Sequence, residues 1–177
     1  MEFRIAGITK ESVVDGPGIR MVVYAQGCHR NCPDCHNPDT HDRNGGELVD
    51  TELILGLVSR ARLIRGVTLS GGEPFLQPEP LAHLARQVRA RGLDIVTYTG
   101  FVFEELLALS LKDKAVRDLL TVTDILIDGA YRAEERDLSL AFRGSRNQRI
   151  INVPKSLATG QVVPWGDEPY CDIRRRA

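Results

Sequence analysis

Short apolar runs alternate with segments of helical periodicity along most of this chain, and this alternation limits the folds available to it. Apolar or β-branched runs predict four buried strands over residues 19–25, 67–69, 93–98 and 123–127, and a fifth over 148–153. Strands separated by helices are typical of βα units, which build parallel sheets. The sequence therefore predicts an α/β fold around a parallel sheet.

Capping residues, prolines and glycines indicate where the helices between these strands begin and end. Asp50 is the expected N-cap of the first helix, and Gly66 is expected to close it. The second helix is expected to begin at Pro78 and to end at Gly92. Two more helices are expected over residues 101–111 and 115–120.

Chain length decides how such a sheet can continue. Right-handed crossovers curl a parallel sheet into a barrel or a doubly wound stack. A complete eight-unit barrel needs about 250 residues. This chain has 177 residues, 42% of them hydrophobic, which suffices for one domain with a real core but not for a complete barrel. We therefore expect a single domain with an open, partial parallel (β/α) barrel.

Polar loops follow each of the first four predicted strands. They are the loop that starts at Cys28, the segment Ser70-Gly71-Gly72-Glu73-Pro74, the segment Tyr98-Thr99-Gly100, and Asp128-Gly129. The carboxyl ends of parallel strands meet at one edge of the sheet, and functional loops gather there. We therefore expect all four loops on one rim.

The first of these loops holds three cysteines within eight residues, spaced as Cys28-x3-Cys32-x2-Cys35. Three thiolates on one short loop can hold three corners of an iron–sulfur cube and leave the fourth iron open for chemistry. Zinc is the alternative, because three histidines lie nearby, although the usual second CxxC pair is absent. A disulfide scaffold is disfavoured because four cysteines are sparse for a chain of 177 residues.

Charge and hydropathy argue against other classes of function. A formal net charge of −1 argues against bulk nucleic-acid binding, and no run of 18 apolar residues is present to cross a membrane. The cluster Arg174-Arg175-Arg176 is interpreted as a solvated tail. No apolar signal segment precedes the cysteines, so a reducing, cytoplasmic compartment is expected.

The segment Ser70-Gly71-Gly72-Glu73-Pro74 has the features of a ligand-binding turn. Two adjacent glycines let the backbone take positive φ and approach a ligand closely. A strand-to-helix turn presents free N–H groups, and Glu73 could accept a hydrogen bond from a ligand amine. The alternative is an ordinary βα turn with Glu73 exposed. The predicted rim shared with three cysteines favours a ligand site.

The cysteine spacing and the GGEP segment together resemble the radical S-adenosylmethionine (radical SAM) superfamily. Asp15-Gly16-Pro17-Gly18-Ile19-Arg20 is similar to the DGPG-x-R segment of glycyl-radical-enzyme activases. Residues 124–129 (DILIDG), 137–140 (DLSL) and 142–150 (FRGSRNQRI) resemble the activating proteins of anaerobic ribonucleoside-triphosphate reductases. The resemblance covers residues 10–155, which we take as the domain core, with 156–177 as a C-terminal tail.

The resemblance implies a chemistry for this rim. Cys28, Cys32 and Cys35 would hold a single [4Fe–4S] cluster whose open iron chelates S-adenosylmethionine. One electron, supplied by a donor such as flavodoxin or ferredoxin, would cleave the sulfonium into methionine and a 5′-deoxyadenosyl radical that abstracts a hydrogen atom. The residues implied at the methionine end are Gly71, Gly72 and Glu73, with Glu73 near the amino group, and Ser70 is implied as a further cofactor-binding residue.

Further positions are carried over from the same resemblance. Thr99 and Asp128 match positions near the cofactor, although Asp128 could instead cap a turn before Gly129. Asp34 stands where many superfamily members carry an aromatic residue against the adenine.

Two interpretations remain for the polar residues Arg143, Asn147 and Arg149. They could bind the methionine carboxylate or a partner protein, or they could form a salt-bridged surface loop. Cys171 lies outside the motif and is interpreted as a free thiol or a small buried apolar group.

The resemblance implies a large glycyl-radical enzyme as partner, with the anaerobic ribonucleotide reductase as the branch indicated. A partial barrel leaves its side open, so that a protein loop could enter. The alternative is a radical SAM enzyme acting on a small molecule or a peptide precursor, although a small substrate is more often enclosed. A non-enzymatic iron–sulfur or zinc scaffold would leave the SGGEP segment without a purpose.

Overall fold

The structure, a computed structural model, describes residues 1–166 of this chain. Cys171 and the arginine cluster near the C-terminus therefore lie outside the described residues. Among the described residues, no helix has the length and apolar character needed to cross a membrane.

Within residues 1–166, seven strands form one open, mixed sheet in the order β3-β1-β2-β4-β5-β6-β7. Its strands are β1 (Glu2–Ser12), β2 (Arg20–Ala25), β3 (Glu47–Asp50), β4 (Gly66–Gly71), β5 (Asp94–Tyr98), β6 (Ile125–Asp128) and β7 (Arg149–Asn152). The four central strands β2, β4, β5 and β6 are parallel neighbours, as the sequence predicts. β1, β3 and β7 pair antiparallel, so the sheet is mixed rather than purely parallel. The predicted open, partial barrel is confirmed.

Five α-helices accompany the sheet in the part of the chain that the structure describes. They are α1 (Thr51–Arg60), α2 (Pro78–Arg89), α3 (Phe103–Ser110), α4 (Lys114–Val122) and α5 (Val153–Thr159). Asp50 is the N-cap of α1, as predicted, and its carboxylate accepts a hydrogen bond from the Glu52 N–H. The predicted end of that helix at Gly66 is wrong, because α1 ends at Arg60 and Gly66 begins β4.

The packing at the start of β4 explains the glycine there. A Cβ on Gly66 would collide with the carbonyl oxygen of Asp94 and would lie 2.6 Å from Nη2 of Arg20. Arg20 is fully buried and forms an ion pair of 2.6 Å with the Asp94 carboxylate. Its Nε also donates to the Thr68 hydroxyl at 2.8 Å. Gly66 therefore makes room for a buried ion pair at the amino ends of the strands, away from the rim with the polar loops.

The two faces of the sheet are covered differently. One face packs against the helices, with strand residues Met21, Val23, Val67, Leu69, Ile95 and Leu126 in the main core. The other face carries a smaller apolar cluster of Val96, Ile125 and Ile127, against which Tyr98, Phe142, Ile150 and Trp165 pack. Helices on one face only are the arrangement of a partial barrel with an accessible interior.

Ordered structure extends beyond residues 10–155 at both ends. β1 begins at Glu2 and pairs with both β2 and β3. After β7, α5 continues to Thr159, and the Trp165 N–H then donates to the Ile150 carbonyl. The N-terminal strand thus belongs to the same sheet as the strands that carry the polar loops.

Candidate active site

Loops that follow the four parallel strands meet at one rim and line a cavity of about 200 Å³. The residues that these loops contribute are Cys28, Arg30, Cys32, Cys35, His36, Asn37, Thr40, His41, Ser70, Gly71, Gly72, Glu73, Thr99, Gly100, Gly129, Ala130 and Tyr131. A further segment, which includes Gly144 and Gln148, closes one side. The structure therefore brings the three cysteines and the Ser70–Glu73 turn to the same space, as expected for loops at the carboxyl ends of parallel strands.

The three thiols are free and partly exposed. The Cys28 sulfur accepts a hydrogen bond from the Arg30 N–H at 3.5 Å, and the Cys35 sulfur accepts one from the Asn37 N–H at 3.4 Å. Burial raises the pKa of the Cys28 thiol, and the bond from Arg30 opposes that rise. Hydrogen bonds to sulfur are one way in which proteins tune iron–sulfur clusters. This donor set, with three unpaired thiols on one cavity wall, fits a cluster.

Within residues 1–166, no three His, Cys, Asp or Glu side chains, the three cysteines included, are close enough together to hold a single metal ion. The histidine nearest in sequence to the third cysteine, His36, instead contacts the ring of Tyr131.

The backbone between the cysteines turns through left-handed conformations. Asn31 has φ of 45° and Asp34 has φ of 54°, a region that Asn and Asp tolerate better than most residues. Asp34 is exposed and is not among the residues that line the cavity. In this structure Asp34 shapes the cysteine loop, and its contact with a cofactor stays a prediction.

The two glycines of the Ser70–Glu73 turn lie against neighbouring main chain, Gly71 against the end of β2 and Gly72 against the cysteine loop. The Gly72 N–H donates to the Ala25 carbonyl and the Glu73 N–H donates to the Gly27 carbonyl, both at 2.8 Å. A Cβ on Gly72 would collide with the Gly27 carbonyl oxygen, and Gly71 has the predicted positive φ, 96°. Gly72 is therefore needed for contact between the two loops, a role that the sequence pattern does not reveal.

Glu73 is fully buried rather than exposed, which excludes the plain surface turn. Its carboxylate accepts hydrogen bonds from the Phe75 N–H at 3.0 Å, the Gly100 N–H at 2.8 Å and the Thr99 hydroxyl at 2.9 Å. Burial raises the pKa of Glu73 to about 7, although these donors favour the ionised form. Glu73 and Thr99 thus connect the rim loops that follow β4 and β5 while lining the cavity.

Asp128 lies outside the lining of the cavity. Its buried carboxylate accepts from the Phe103 N–H at 2.8 Å and from Nε of Arg149 at 3.0 Å. Arg149 also pairs with the Glu104 carboxylate at 2.7 Å. The structure therefore supports the salt-bridge interpretation of Arg149. The Asp128 carboxylate caps the start of α3, and its role near a cofactor stays a prediction.

Amide side chains hold the segment 142–150, which resembles the reductase-activating proteins, in place by hydrogen bonds to main-chain groups. Asn147 donates to the Ala130 carbonyl at 2.8 Å, and Gln148 donates to the Gly129 carbonyl at 3.0 Å. The Gln148 side-chain oxygen accepts from the Gly144 N–H at 2.9 Å. These bonds hold the segment against the turn after β6, where it forms one wall of the cavity.

Sequence reasoning missed two cavity residues that carry distinctive side chains. Arg30 lies 4.4 Å from the ring centroid of Phe101 and pairs with Glu105 at 3.1 Å. Tyr131 follows the β6 turn directly. Arg30 could have been predicted as a cavity residue because it lies within the cysteine loop. No sequence pattern indicates that Tyr131 lines the cavity.

Comparison with known proteins places this architecture among relatives. The model of the family described as "4Fe-4S single cluster domain" matches residues 14–151. The anaerobic ribonucleoside-triphosphate reductase-activating protein of Escherichia coli (strain K12) is 34% identical over 147 residues, which cover 78% of this chain and 91% of that protein. The protein of the same name from Haemophilus influenzae is 35% identical over 146 residues, which cover 78% and 90%.

A second group of relatives is longer than this chain. The pyruvate formate-lyase 1-activating enzyme of Escherichia coli (strain K12) is 34% identical over 169 residues, which cover 92% of this chain and 65% of that enzyme. Among solved structures, QueE from Escherichia coli overlaps 56% of this chain and 53% of its own, with a TM-score of 0.45 and 19% identity. On the family match and the relatives together, the chain belongs to the radical SAM family of glycyl-radical-enzyme activating proteins.

Proposed function

We propose that this protein generates a glycyl radical on a large partner enzyme, an anaerobic ribonucleoside-triphosphate reductase. In this proposal Cys28, Cys32 and Cys35 hold a [4Fe–4S] cluster, and S-adenosylmethionine binds in the cavity beside it. The observation that carries the proposal is the shared cavity of the three free thiols and the Ser70–Glu73 turn.

The cluster and S-adenosylmethionine together supply the radical chemistry: one electron breaks the sulfonium bond and gives methionine and a 5′-deoxyadenosyl radical. The protein's own residues bind and orient the reactants. S-adenosylmethionine carries an ammonium and a sulfonium charge, and Glu73 is a buried carboxylate on the cavity wall. A cation beside Glu73 would favour its ionised form and so offset the effect of burial on its pKa.

Glycine is a chemically reasonable substrate for this site. It has no side chain to block the approach of a radical, and its α-radical is delocalised into the flanking amides. The partner would have to present its glycine on a loop that leaves the partner's own fold and reaches the rim. We therefore expect a transient complex in which the sheet's carboxyl-end rim faces the partner.

One segment of the cavity wall supports the reductase as the partner. The segment at Asn147 and Gln148 resembles the reductase-activating proteins, and it is held against the turn after β6 on one side of the cavity. This observation favours an activating protein of the reductase type.

The test is electron paramagnetic resonance on cluster-loaded protein mixed anaerobically with the reductase, S-adenosylmethionine and either reduced flavodoxin or reduced ferredoxin. We expect a glycyl doublet on the reductase that is lost when its radical glycine becomes alanine. Deuterium placed on that glycine's α-carbon should appear in 5′-deoxyadenosine. Deuterium transfer from a small molecule, with no radical on the reductase, would instead support the small-molecule alternative.

A further inference from the structure

Exposed aliphatic side chains are concentrated beside the cavity. Within residues 1–166, five large ones are between 68% and 84% exposed, namely Val13, Val14, Leu63, Leu111 and Leu138. A single exposed apolar residue is ordinary in a folded protein, so exposure alone decides nothing. Leu63 lies between α1 and β4, and Leu111 follows α3. The other three belong to turns that are attached to the cavity wall.

The turn with Val13 and Val14 is closed by two neighbouring polar side chains. The Ser12 hydroxyl donates to the Asp15 carboxylate at 2.5 Å and accepts from the Val14 N–H at 3.3 Å. The Asp15 carbonyl accepts from the Thr68 hydroxyl at 2.7 Å, which attaches the turn to β4. Asp15 itself lines the cavity. The two valines are thus held in water directly before a residue of the cavity wall.

Leu138 lies in the connection between β6 and β7. These strands are antiparallel neighbours, which a tight turn of about two residues can join, yet the connection runs over residues 129–148. Long connections of this kind are often functional. The Asp137 N–H donates at 3.2 Å to the carbonyl of Gly144, a residue that lines the cavity. Leu138 therefore follows a residue that is bonded to the cavity wall.

Local contacts fix the conformation around Leu138. The Asp137 carboxylate accepts from the Ser139 N–H at 3.0 Å and from the Ser139 hydroxyl at 2.6 Å. Phe142 has φ of 61°, a left-handed conformation that is rare for a bulky residue. The Tyr98 hydroxyl donates to the Phe142 carbonyl at 2.8 Å and so holds it there. A side chain on such an ordered turn loses little conformational freedom when it binds.

We propose that Val13, Val14 and Leu138 form an apolar docking surface for the partner enzyme. This inference rests on the proposed function, in which a glycine of the partner reaches the cavity. The partner surface around that glycine must then cover the turns that are attached to the cavity wall. Apolar side chains on those turns supply affinity through burial, while the cavity receives the reacting loop. The partner surface beside the radical glycine should therefore be apolar.

The sequence of one turn favours the reductase as the protein that docks here. Residues 137–140, which include Leu138, are one of the stretches that resemble the reductase-activating proteins. Leu138 is 81% exposed and contributes little to the core of this chain. The resemblance at this turn is better explained by contact with a common class of partner than by packing within the chain.

The test is the dissociation constant of the complex between cluster-loaded protein and the reductase, measured without oxygen by biolayer interferometry. Leu138→Ala should weaken the complex about tenfold, because it removes most of a buried apolar side chain. Val14→Ala removes less and should weaken it about threefold. Leu111→Ala is the matched control, because this leucine is similarly exposed but does not line the cavity, and it should bind like the wild type.

Two further measurements separate docking from chemistry and from folding. Asp137→Ala keeps Leu138 but removes both bonds to Ser139, and it should weaken the complex about threefold because the turn is no longer ordered in advance. Cleavage of S-adenosylmethionine without the reductase, driven by a chemical reductant, should proceed in Leu138→Ala at the wild-type rate. Iron content and circular dichroism of each variant establish that the cluster and the fold are intact.

A wild-type protein that binds no reductase and forms no glycyl radical would contradict the proposed function and the docking surface with it. If the wild type binds and activates the reductase, and both Leu138→Ala and Val14→Ala keep its affinity, the docking surface is wrong while the proposed function stands. If Leu138→Ala slows cleavage without the reductase as much as it slows activation, the residue acts on the cavity and the docking surface is again overturned.

Sedimentation velocity tests the other occupant of this surface, a second copy of the chain. If Leu138→Ala separates a dimer of this protein and leaves reductase binding unchanged, the surface joins two copies instead, and the inference is wrong. An unchanged oligomeric state together with weakened reductase binding supports it.

Discussion

The Thr99 hydroxyl donates a hydrogen bond of 2.9 Å to the buried carboxylate of Glu73. The two residues follow neighbouring parallel strands, β5 and β4, so this bond joins two loops of the rim. The Glu73 carboxylate is fully buried, so bulk water cannot replace a hydrogen-bond donor that it loses.

Thr99→Val should therefore lower the free energy of unfolding by about 1–3 kcal/mol, because it removes a donor from a buried carboxylate while keeping the shape of the side chain. Thr99→Ser should restore most of the loss. Urea unfolding at pH 8 measures both. As a control, Thr121→Val removes a hydroxyl that bonds to the Arg117 carbonyl on an exposed helix face, and it should change stability by about 0.5 kcal/mol at most. Equal effects at the two sites would contradict the prediction.

Glu73 should also make stability depend on pH. Its pKa in the folded protein is raised to about 7 from a reference of 4.5. A raised pKa contributes stability that is complete below the unfolded pKa and is lost as pH rises through the folded pKa. Between pH 5 and 7, the wild type should lose about 1 kcal/mol per pH unit relative to Glu73→Gln, which does not titrate.

The wild type and Glu73→Gln must be compared by the slopes of their free energies of unfolding against pH. Glu73→Gln should be less stable than the ionised wild type, because the Phe75 and Gly100 N–H groups bond to different carboxylate oxygens and the amide replaces one of these acceptors by an NH2 donor. Urea unfolding at pH 5.5, 6.5 and 7.5 gives the slopes. Parallel curves would show that Glu73 stays ionised throughout this range.

Arg149 should matter for stability rather than for the cofactor. Arg149→Ala leaves the buried Asp128 carboxylate without its cation. We expect a loss of about 1–3 kcal/mol, less than for a fully buried pair because Arg149 is partly exposed. Arg132→Ala is the control, since its pair with Glu135 lies at the surface and should contribute little. A stable Arg149→Ala protein with weakened S-adenosylmethionine binding would reverse this assignment.

Removal of any one of Cys28, Cys32 and Cys35 should prevent cluster assembly. Wild-type protein reconstituted without oxygen should bind about four irons and show a brown chromophore, as expected for a cubane on cysteine thiolates. Each single Cys→Ala variant should lose the chromophore. Cys171→Ala, which alters the cysteine outside the motif, should keep it. Stoichiometric zinc without iron uptake would exclude the cluster.

The central strands could be predicted because they are buried on both faces. β2, β4, β5 and β6 are flanked by helices on one side and by apolar or polar packing on the other, so their sequences are nearly continuous apolar runs. The N-cap at Asp50 was equally visible, because a capping side chain acts within its own turn.

The side of the sheet formed by β1 and β3 was not predicted, whereas the opposite edge strand β7 lies within the range 148–153 predicted for the fifth strand. β1 carries polar or small residues at many positions, and three of the four β3 residues are exposed. β1 pairs with β2 and with β3, and these pairs join distant parts of the chain. A local sequence pattern indicates burial and turns, but it does not indicate a strand whose conformation depends on such pairing.

The site was predictable as a set of motifs but not as a set of contacts. The cysteines and the Ser70–Glu73 turn are short patterns with strong chemical requirements. The pairing of Arg149 with Asp128 and the approach of Tyr131 to His36 join segments that are far apart in sequence. Only the packed fold brings such residues together. The burial of Glu73 also depends on residues distant in sequence, Thr99 and Gly100, so the sequence pattern does not predict it.

No side chain separates the cysteine loop from the glycine turn, because the main-chain N–H groups of Gly72 and Glu73 bond directly to the carbonyls of Ala25 and Gly27. Side-chain rotamer changes cannot lengthen these main-chain hydrogen bonds. The two loops should therefore move as one rigid unit attached to the ends of β2 and β4. On heating, the spacing between the cysteine loop and the Ser70–Glu73 turn should hold constant until these two strands separate. The thermal limit of the proposed activity should then coincide with the melting of the sheet rather than with the loosening of a surface loop.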